Sequence, residues 1–396
     1  MATKRVFAHV KPVVLRWART SAGYSLGEAA IAVGIEQDDL EDWEAGIEHP
    51  TIPQLRLAAA AYKRPLSVFF LQDVPVDFQV LTDFRRPVSS GPRRYSPELT
   101  QEIRFAQQRR ELAFELLEDL GDNYEPVVQR LSLADDVESA GEVIRASLGI
   151  EGGYQVRADA EGRASLNWWR EKIEQSGILV FQTTRVSSEE ASGFALSYPM
   201  LPVIVINRKD APTRRLFSLL HEYAHLLLQQ SGVSDLNIDF SLPLERPDIE
   251  LFCNRVAAAA LMPKNLILNE EIVRAHGDSA QWSDEEIVPL ARRFGVSREA
   301  LLLRLISLGR TNWQLFLSKR AQYSDEYERQ RARDLKPGTA IKRNMPQETF
   351  SNFGRTFVGI VLGNYNQDRI TLSEVSRYFG VRTRHIEPLQ KLVAGG

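Results

Sequence analysis

Leu216-Phe217-Ser218-Leu219-Leu220-His221-Glu222-Tyr223-Ala224-His225-Leu226-Leu227-Leu228 is the stretch on which the reading of this chain turns. Its apolar run predicts a buried helix. On a helix His221 and His225 stand one turn apart, so both imidazoles leave the same face and can hold one metal ion. Glu222 leaves a neighbouring face, where it can reach a metal-bound water without being a ligand, which suits a general base. The plainer alternative is a core helix with two satisfied histidines. In a chain with only six histidines the H-E-x-x-H spacing makes the metal reading the stronger one. The stretch points to a metallohydrolase.

The 396 residues suffice for two or three domains, and 43% apolar with 26% charged residues is ordinary globular composition. A net charge of -3 gives no global sign of a nucleic-acid or membrane surface. The single cysteine, Cys253, excludes an internal disulfide framework and fits a reducing compartment. Residues 1–9 lack the apolar core of a signal peptide, and no apolar run approaches the roughly 20 residues of a membrane span. The expected location is the cytoplasm.

Upstream, residues 1–75 read as short helices with sharp punctuation. Ser25 and Glu28 form a capping box, Gly34-Ile35 turns the chain, and a helix from Gln37 to Ala45 closes at Gly46. A fourth helix starts at Ile52, and Leu66–Phe70 suggests a fifth. Helix, glycine turn and helix within about 65 residues is a helix-turn-helix layout. Residues 76–130 read as a Pro- and Arg-containing connector (Arg85-Arg86, Arg93-Arg94) followed by a long helix from Glu98. Residues 131–310 form the expected α+β domain, with strands at 177–182, 193–198 and 203–207 beside a helix starting near Pro212. Residues 311–396 read as a charged helix from Arg320, a loop at Lys336-Pro337-Gly338 and a small helical domain whose Gly380 turn repeats the helix-turn-helix pattern.

Two histidines leave a tetrahedral metal short of protein ligands. The best third donor is Glu250, in the first turn of the helical segment Glu250-Leu251-Phe252-Cys253-Asn254. Asn254, one turn later, is placed to orient a ligand histidine through a hydrogen bond. His276 with Asp278 and the thiol of Cys253 are weaker donors, because each has an ordinary structural reading. Tyr198, Tyr223 and Arg255 are the nearby candidates for an oxyanion donor. With His221, His225 and Glu250 on the metal, a water takes the fourth position. Glu222 would accept its proton, and later deliver one to the leaving amine.

The run from Arg214 to His225, then Glu250-x-x-Cys253-Asn254 and Ala257 to Pro263, resembles the ImmA/IrrE family of metallopeptidases. The strand Val203–Asn207 and the later Phe294-Gly295-Val296-Ser297-Arg298 also fit, while Cys253 stands where that family more often has alanine. The details Ala29-Ala30, Gly34-Ile35, Trp43–Gly46 and Pro50-Thr51 resemble an Xre/Cro-type domain. The resemblance implies a mainly α chain: an N-terminal all-α helix-turn-helix domain, a zincin-like (gluzincin) peptidase domain and the small helical C-terminal domain. It implies zinc at the site, with manganese as the other metal associated with the family. It also implies a protein substrate, an Xre-type repressor or antitoxin-like protein, cleaved under stress or mobile-element induction.

The front domain argues against DNA as its partner. Glu36, Asp38, Asp39, Glu41, Asp42, Glu44 and Glu48 crowd its second helix with no Lys or Arg between them, and carboxylates facing phosphates repel. Gln37 alone is a base reader. The alternative function is a DNA-binding transcriptional regulator whose peptidase-like module senses a metal or ligand. The acidic helix weighs against it.

Overall fold

A computed structural model describes residues 6–75, 82–83, 95–120, 129–150, 162–230, 232–234, 247–334 and 344–394. The connector arginines 85, 86, 93 and 94 and the 336–338 loop lie outside the described residues. The chain divides into two compact units, Met1–Val80 with Ser89–Gln108, and Leu81–Val88 with Arg109–Gly396. The described residues are mainly helical, with one small sheet in the second unit.

In the first unit, helices α1 (Pro12–Thr20), α2 (Leu26–Val33), α3 (Gln37–Ala45) and α4 (Ile52–Ala61) follow one another. Reciprocal capping boxes start α2 (Ser25 with Glu28) and α4 (Thr51 with Gln54). Left-handed Gly34 and Gly46, both at φ 77°, end α2 and α3. Leu66–Phe70 is a short 3₁₀ turn rather than a fifth α-helix, because it runs only from Pro65 to an extended Leu71. Leu15, Ala29, Leu40, Trp43, Leu55 and Phe69 form the core.

One sequence reading changes here. Glu44 is 5% exposed and accepts from Arg19 Nε at 2.7 Å and Arg19 Nη2 at 2.8 Å, so it does not belong to the acidic outer face. It lies one turn after buried Leu40, on the inward side of α3.

The second unit contains β1 (Thr82–Asp83), β2 (Leu179–Thr183), β3 (Gly193–Leu196), β4 (Val203–Asn207) and β5 (Gly232–Ser234), in the order β1-β5-β3-β4-β2. β2 runs parallel to β4, and β3 runs antiparallel to both β4 and β5. Every residue of β2, β3 and β4 is buried, so these strands do not alternate, and they are apolar except at their carboxyl ends, where Gln182, Thr183 and Asn207 lie. Helix α5 (Pro97–Leu120) precedes α6 (Val137–Ser147) and α7 (Arg163–Gln175). Then come α8 (Pro212–Leu227) and α9 (Pro247–Leu261), which share one hydrophobic core with the sheet. Gly141 on α6 lets α9 approach closely, since a Cβ there would lie 2.7 Å from Ala259 Cβ.

Helices α10 (Lys264–Asn269), α11 (Glu271–His276), α12 (Asp284–Phe294) and α13 (Arg298–Ser307) complete that core. Helix α14 (Trp313–Asp334) starts a full two turns before the expected Arg320, because Trp313, Leu315 and Phe316 already pack as helix. The last helices are α15 (Met345–Asn366), α16 (Leu372–Phe379) and α17 (Ile386–Ala394). α15 covers β2 and is broken at Gly354 (φ 78°), where a Cβ would stand 2.8 Å from both Val180 O and Arg170 Nη2.

Arg304 on α13 ties α6 to the end of α9. It donates to Glu138 at 2.7 and 2.6 Å and to Met262 O at 2.9 Å, and is 2% exposed. Arg304→Ala would leave the Met262 carbonyl buried without its donor, and a loss of about 2 kcal/mol is expected. Urea unfolding of the full chain checks this; an unchanged midpoint would show that the clamp contributes nothing.

Candidate metal centre

Pro212 occupies the first turn of α8, where its missing N–H costs no hydrogen bond. From Leu216 to Leu227 every residue except Phe217 is buried, which is why this stretch is apolar almost all round. His221, Glu222 and His225 are therefore enclosed, at 0%, 1% and 1% exposure. Glu250 projects from the first turn of α9 and is 2% exposed.

These donors converge. His221 Nε2 and His225 Nε2 are 3.0 Å apart, Glu250 Oε1 is 3.1 Å from His225 Nε2, and Glu250 Oε2 is 3.4 Å from His221 Nε2. Ligand atoms at the zinc-typical 2.0–2.1 Å, set tetrahedrally, stand about 3.3–3.4 Å from one another. The observed separations lie at or slightly inside that value. Among the described residues, His221, His225 and Glu250 form the one group of three such donors, all within 4.8 Å.

The electrostatics fit a cation. Burial pushes the Glu250 carboxyl up, but the two imidazoles beside it outweigh burial and hold it at about 2. Burial works against charge on His221, yet Glu250, then Glu222 and Asn254, raise its pKa; His225 is lowered by burial, with His221 adding to that. Glu250 Oε1, although 3.1 Å from an imidazole, has no hydrogen-bond geometry, and His221 Nδ1 and Asn254 Nδ2 are also buried without a hydrogen bond. Two carboxylates, Glu222 and Glu250, lie in this apolar interior, and one divalent ion would balance both charges. The residues present fit the implied metal.

Asn254 lies one turn after Glu250 on α9, with its amide nitrogen buried and without a hydrogen bond. Cys253 is fully buried, and burial, then the Glu250 and Glu222 charges, push its thiol well above the usual range. That disfavours a thiolate ligand. His276 goes elsewhere: it stacks on Trp282 at 3.7 Å and meets Glu286 Oε1 at 2.7 Å, while Asp278 pairs with Arg310. The three oxyanion candidates also have other neighbours. Tyr223 shares a 2.9 Å hydrogen bond with Ser147, Tyr198 lies under the Arg110 guanidinium at 4.4 Å, and Arg255 is exposed.

Residues 173–306 match the Peptidase_M78 family model, an IrrE N-terminal-like domain. That match runs from the last turn of α7 into α13 and contains all five of His221, Glu222, His225, Glu250 and Asn254. Over 105 residues the chain is 35% identical to a protein of Deinococcus deserti named "Radiation response metalloprotease IrrE", covering 26% of this chain. The chain spans about a third of that curated relative, 35% of its length. A metallopeptidase-type domain is thus present. No helix among the described residues is long and apolar enough to cross a membrane.

Gly193 was not legible as a site residue. It opens β3 against α8, and a Cβ there would lie 2.9 Å from Val205 O and 3.1 Å from Glu222 Oε1. A glycine at the start of a strand is the one sequence signal for so close an approach.

Two measurements follow from this geometry. Glu250→Gln and His225→Ala are expected to drop bound metal from about one ion per chain to near zero by elemental analysis, because each removes one of three protein ligands. Full metal content in both variants would reject this ligand set. Gly193→Ala is expected to keep the metal while lowering kcat about tenfold, by displacing the Glu222 carboxylate. Unaltered kcat would show that the close approach has no catalytic consequence.

Proposed function

We propose that this chain is a metal-dependent endopeptidase whose substrate is an Xre-type repressor or antitoxin-like protein. The observation that carries the reading is the buried convergence of His221, His225 and Glu250 with Glu222 beside them. His221, His225 and Glu250 would hold the ion through two Nε2 atoms and a carboxylate, with zinc the default and manganese compatible with the same donors. A bound ion of that class supplies Lewis acidity toward a peptide carbonyl and toward water.

The chain's own residues do the rest. A Glu222 carboxylate oxygen takes a proton from the attacking water and returns it to the leaving amine nitrogen. Asn254, one turn after Glu250, would orient the His221 ring, and Gly193 leaves the room that Glu222 occupies. The apolar enclosure strengthens each of these polar contacts.

The first unit supports a protein substrate better than DNA. We read it as an Xre-type helix-turn-helix module, with α3 in the recognition position. Glu36, Asp38, Asp39, Glu41 and Glu48 are exposed there, and Asp42 is half-buried. Gln37 Nε2 donates to Glu41 Oε1 at 2.7 Å, so the one base-reading side chain is engaged on its own helix. An acidic face of this kind complements the basic DNA-binding surface of a repressor. The relative's printed role in a radiation response supports a stress setting for this chain as well.

Incubation of a neighbouring-gene repressor with wild type and Glu222→Gln tests the reading. Wild type should cut it at one or few bonds, and Glu222→Gln should retain metal while cutting about 10³-fold more slowly. Equal cleavage by both, or none with metal supplied, would overturn it. Replacing Asp38, Asp39 and Glu41 with lysine is expected to raise KM for the repressor about tenfold at low salt with little change in kcat. An unchanged KM would remove α3 from substrate docking.

A further inference from the structure

At the N-terminal end of α8 lies a second polar cluster that the peptidase chemistry does not use. β2 and β4 run parallel and end side by side at Thr183 and Asn207; Arg208 follows β4, and Arg215 lies in the first turn of α8. Arg215 Nη1 donates to Gln182 Oε1 at 2.8 Å, Gln182 Nε2 donates to Ser351 O at 2.9 Å, and Arg170 Nη1 donates to the same carbonyl at 2.6 Å. Arg208 Nη1 donates to Asn352 Oδ1 at 2.8 Å. Three separate elements, α7, the segment after β4 and α8, thus gather guanidinium groups at the carboxyl ends of two parallel strands, the crevice where open α/β sheets bind their ligands.

Among the described residues, Arg208 and Arg215 have no ion pair with a carboxylate. Arg170 has its carboxylate, Glu174, at 3.1 Å. Arg208 and Arg215 instead donate to neutral amide oxygens, and Arg215 Nε is buried without a hydrogen bond. Among the described residues, Asp210 is the carboxylate that acts on Arg215, and it pairs with Arg214 at 3.5 Å. Burial first, then the charges of Arg208, Arg163 and Arg170, bring the Arg215 guanidinium down to about 10. Such a set of forked donors with too little negative charge is what a phosphate dianion satisfies, because its oxygens can take paired N–H contacts from two guanidinium groups, where a carboxylate completes one fork and chloride none.

We propose that Arg208 and Arg215 form a binding site for a small phosphate-bearing ligand, separate from the metal centre. Free inorganic phosphate and the phosphate of a mononucleotide share this chemistry. The ligand would join β2, β4, α8 and α15 at one point.

The test uses the full-length, metal-loaded protein in chloride, inorganic phosphate or AMP at matched ionic strength. Phosphate at about 10 mM is expected to raise Tm by roughly 2 °C or more over chloride. A larger rise with AMP identifies a nucleotide as the source, and a smaller one identifies free phosphate. Arg208→Gln should abolish the rise and, with one repelling charge gone, melt in chloride at or above wild type. Arg215→Lys keeps the charge but loses the fork, so it should weaken the response several-fold even if Arg208→Gln folds poorly. Metal content, measured alongside, should stay unchanged in both variants. No response of wild type to phosphate or AMP, or a response in both variants equal to wild type, overturns the proposal.

Discussion

The second unit is built around one constraint: a carboxylate and two imidazoles from two different helices must meet in an apolar interior. Glu250 is 2% exposed, and His221 and His225 are at most 1% exposed. An isolated buried carboxylate is destabilising by several kcal/mol, and so is a buried charge left without its partner. The cost is met only if the donors face one another or a shared cation, which demands that α8 and α9 be held in one register. Gly141 removes the side chain that would push α6 away from α9, and Arg304 fastens α6 to the chain leaving α9. The sheet supplies the other wall, with Gly193 of β3 set against Glu222. Packing that looks merely structural is therefore what brings the chemistry together.

Charge is distributed unevenly within each unit. In the second unit negative charge is concentrated inside, on Glu222 and Glu250, and in the first it lies on the exposed face of α3. Positive charge collects at the N-terminal end of α8, around Arg208 and Arg215. A chain with a net charge of only -3 thus carries local fields of both signs, and each field suggests a different class of partner.

Much of this was legible in the sequence, for reasons that can be named. The four-residue spacing of His221 and His225 is a property of helix geometry, so it survives without any tertiary information. A capping box and two glycine stops placed α2 and α3, because those signals are local too. Glu250 and Asn254 followed from a first-turn position and one turn of helix. Long-range geometry was what escaped. Glu44 looks like one more surface acid until Arg19, 25 residues earlier, is seen to neutralise it. Gly193 matters only because α8 passes over it, and the arginine cluster exists only because Ser351 and Asn352 fold back onto β2 and β4. The early start of α14 reflects packing of Leu315 and Phe316 that the charged sequence after Arg320 conceals.

In the proposed site Nε2 of His221, Nε2 of His225 and a Glu250 oxygen would hold one divalent ion. X-ray absorption fine structure at the metal edge of the purified protein reads this ligand set. Two imidazole nitrogens at about 2.0–2.1 Å with carboxylate or water oxygen at about 2.0–2.2 Å are expected, and loss of one imidazole in His225→Ala. A sulfur scatterer, a shell without imidazole, or a shell unchanged in His225→Ala would contradict it.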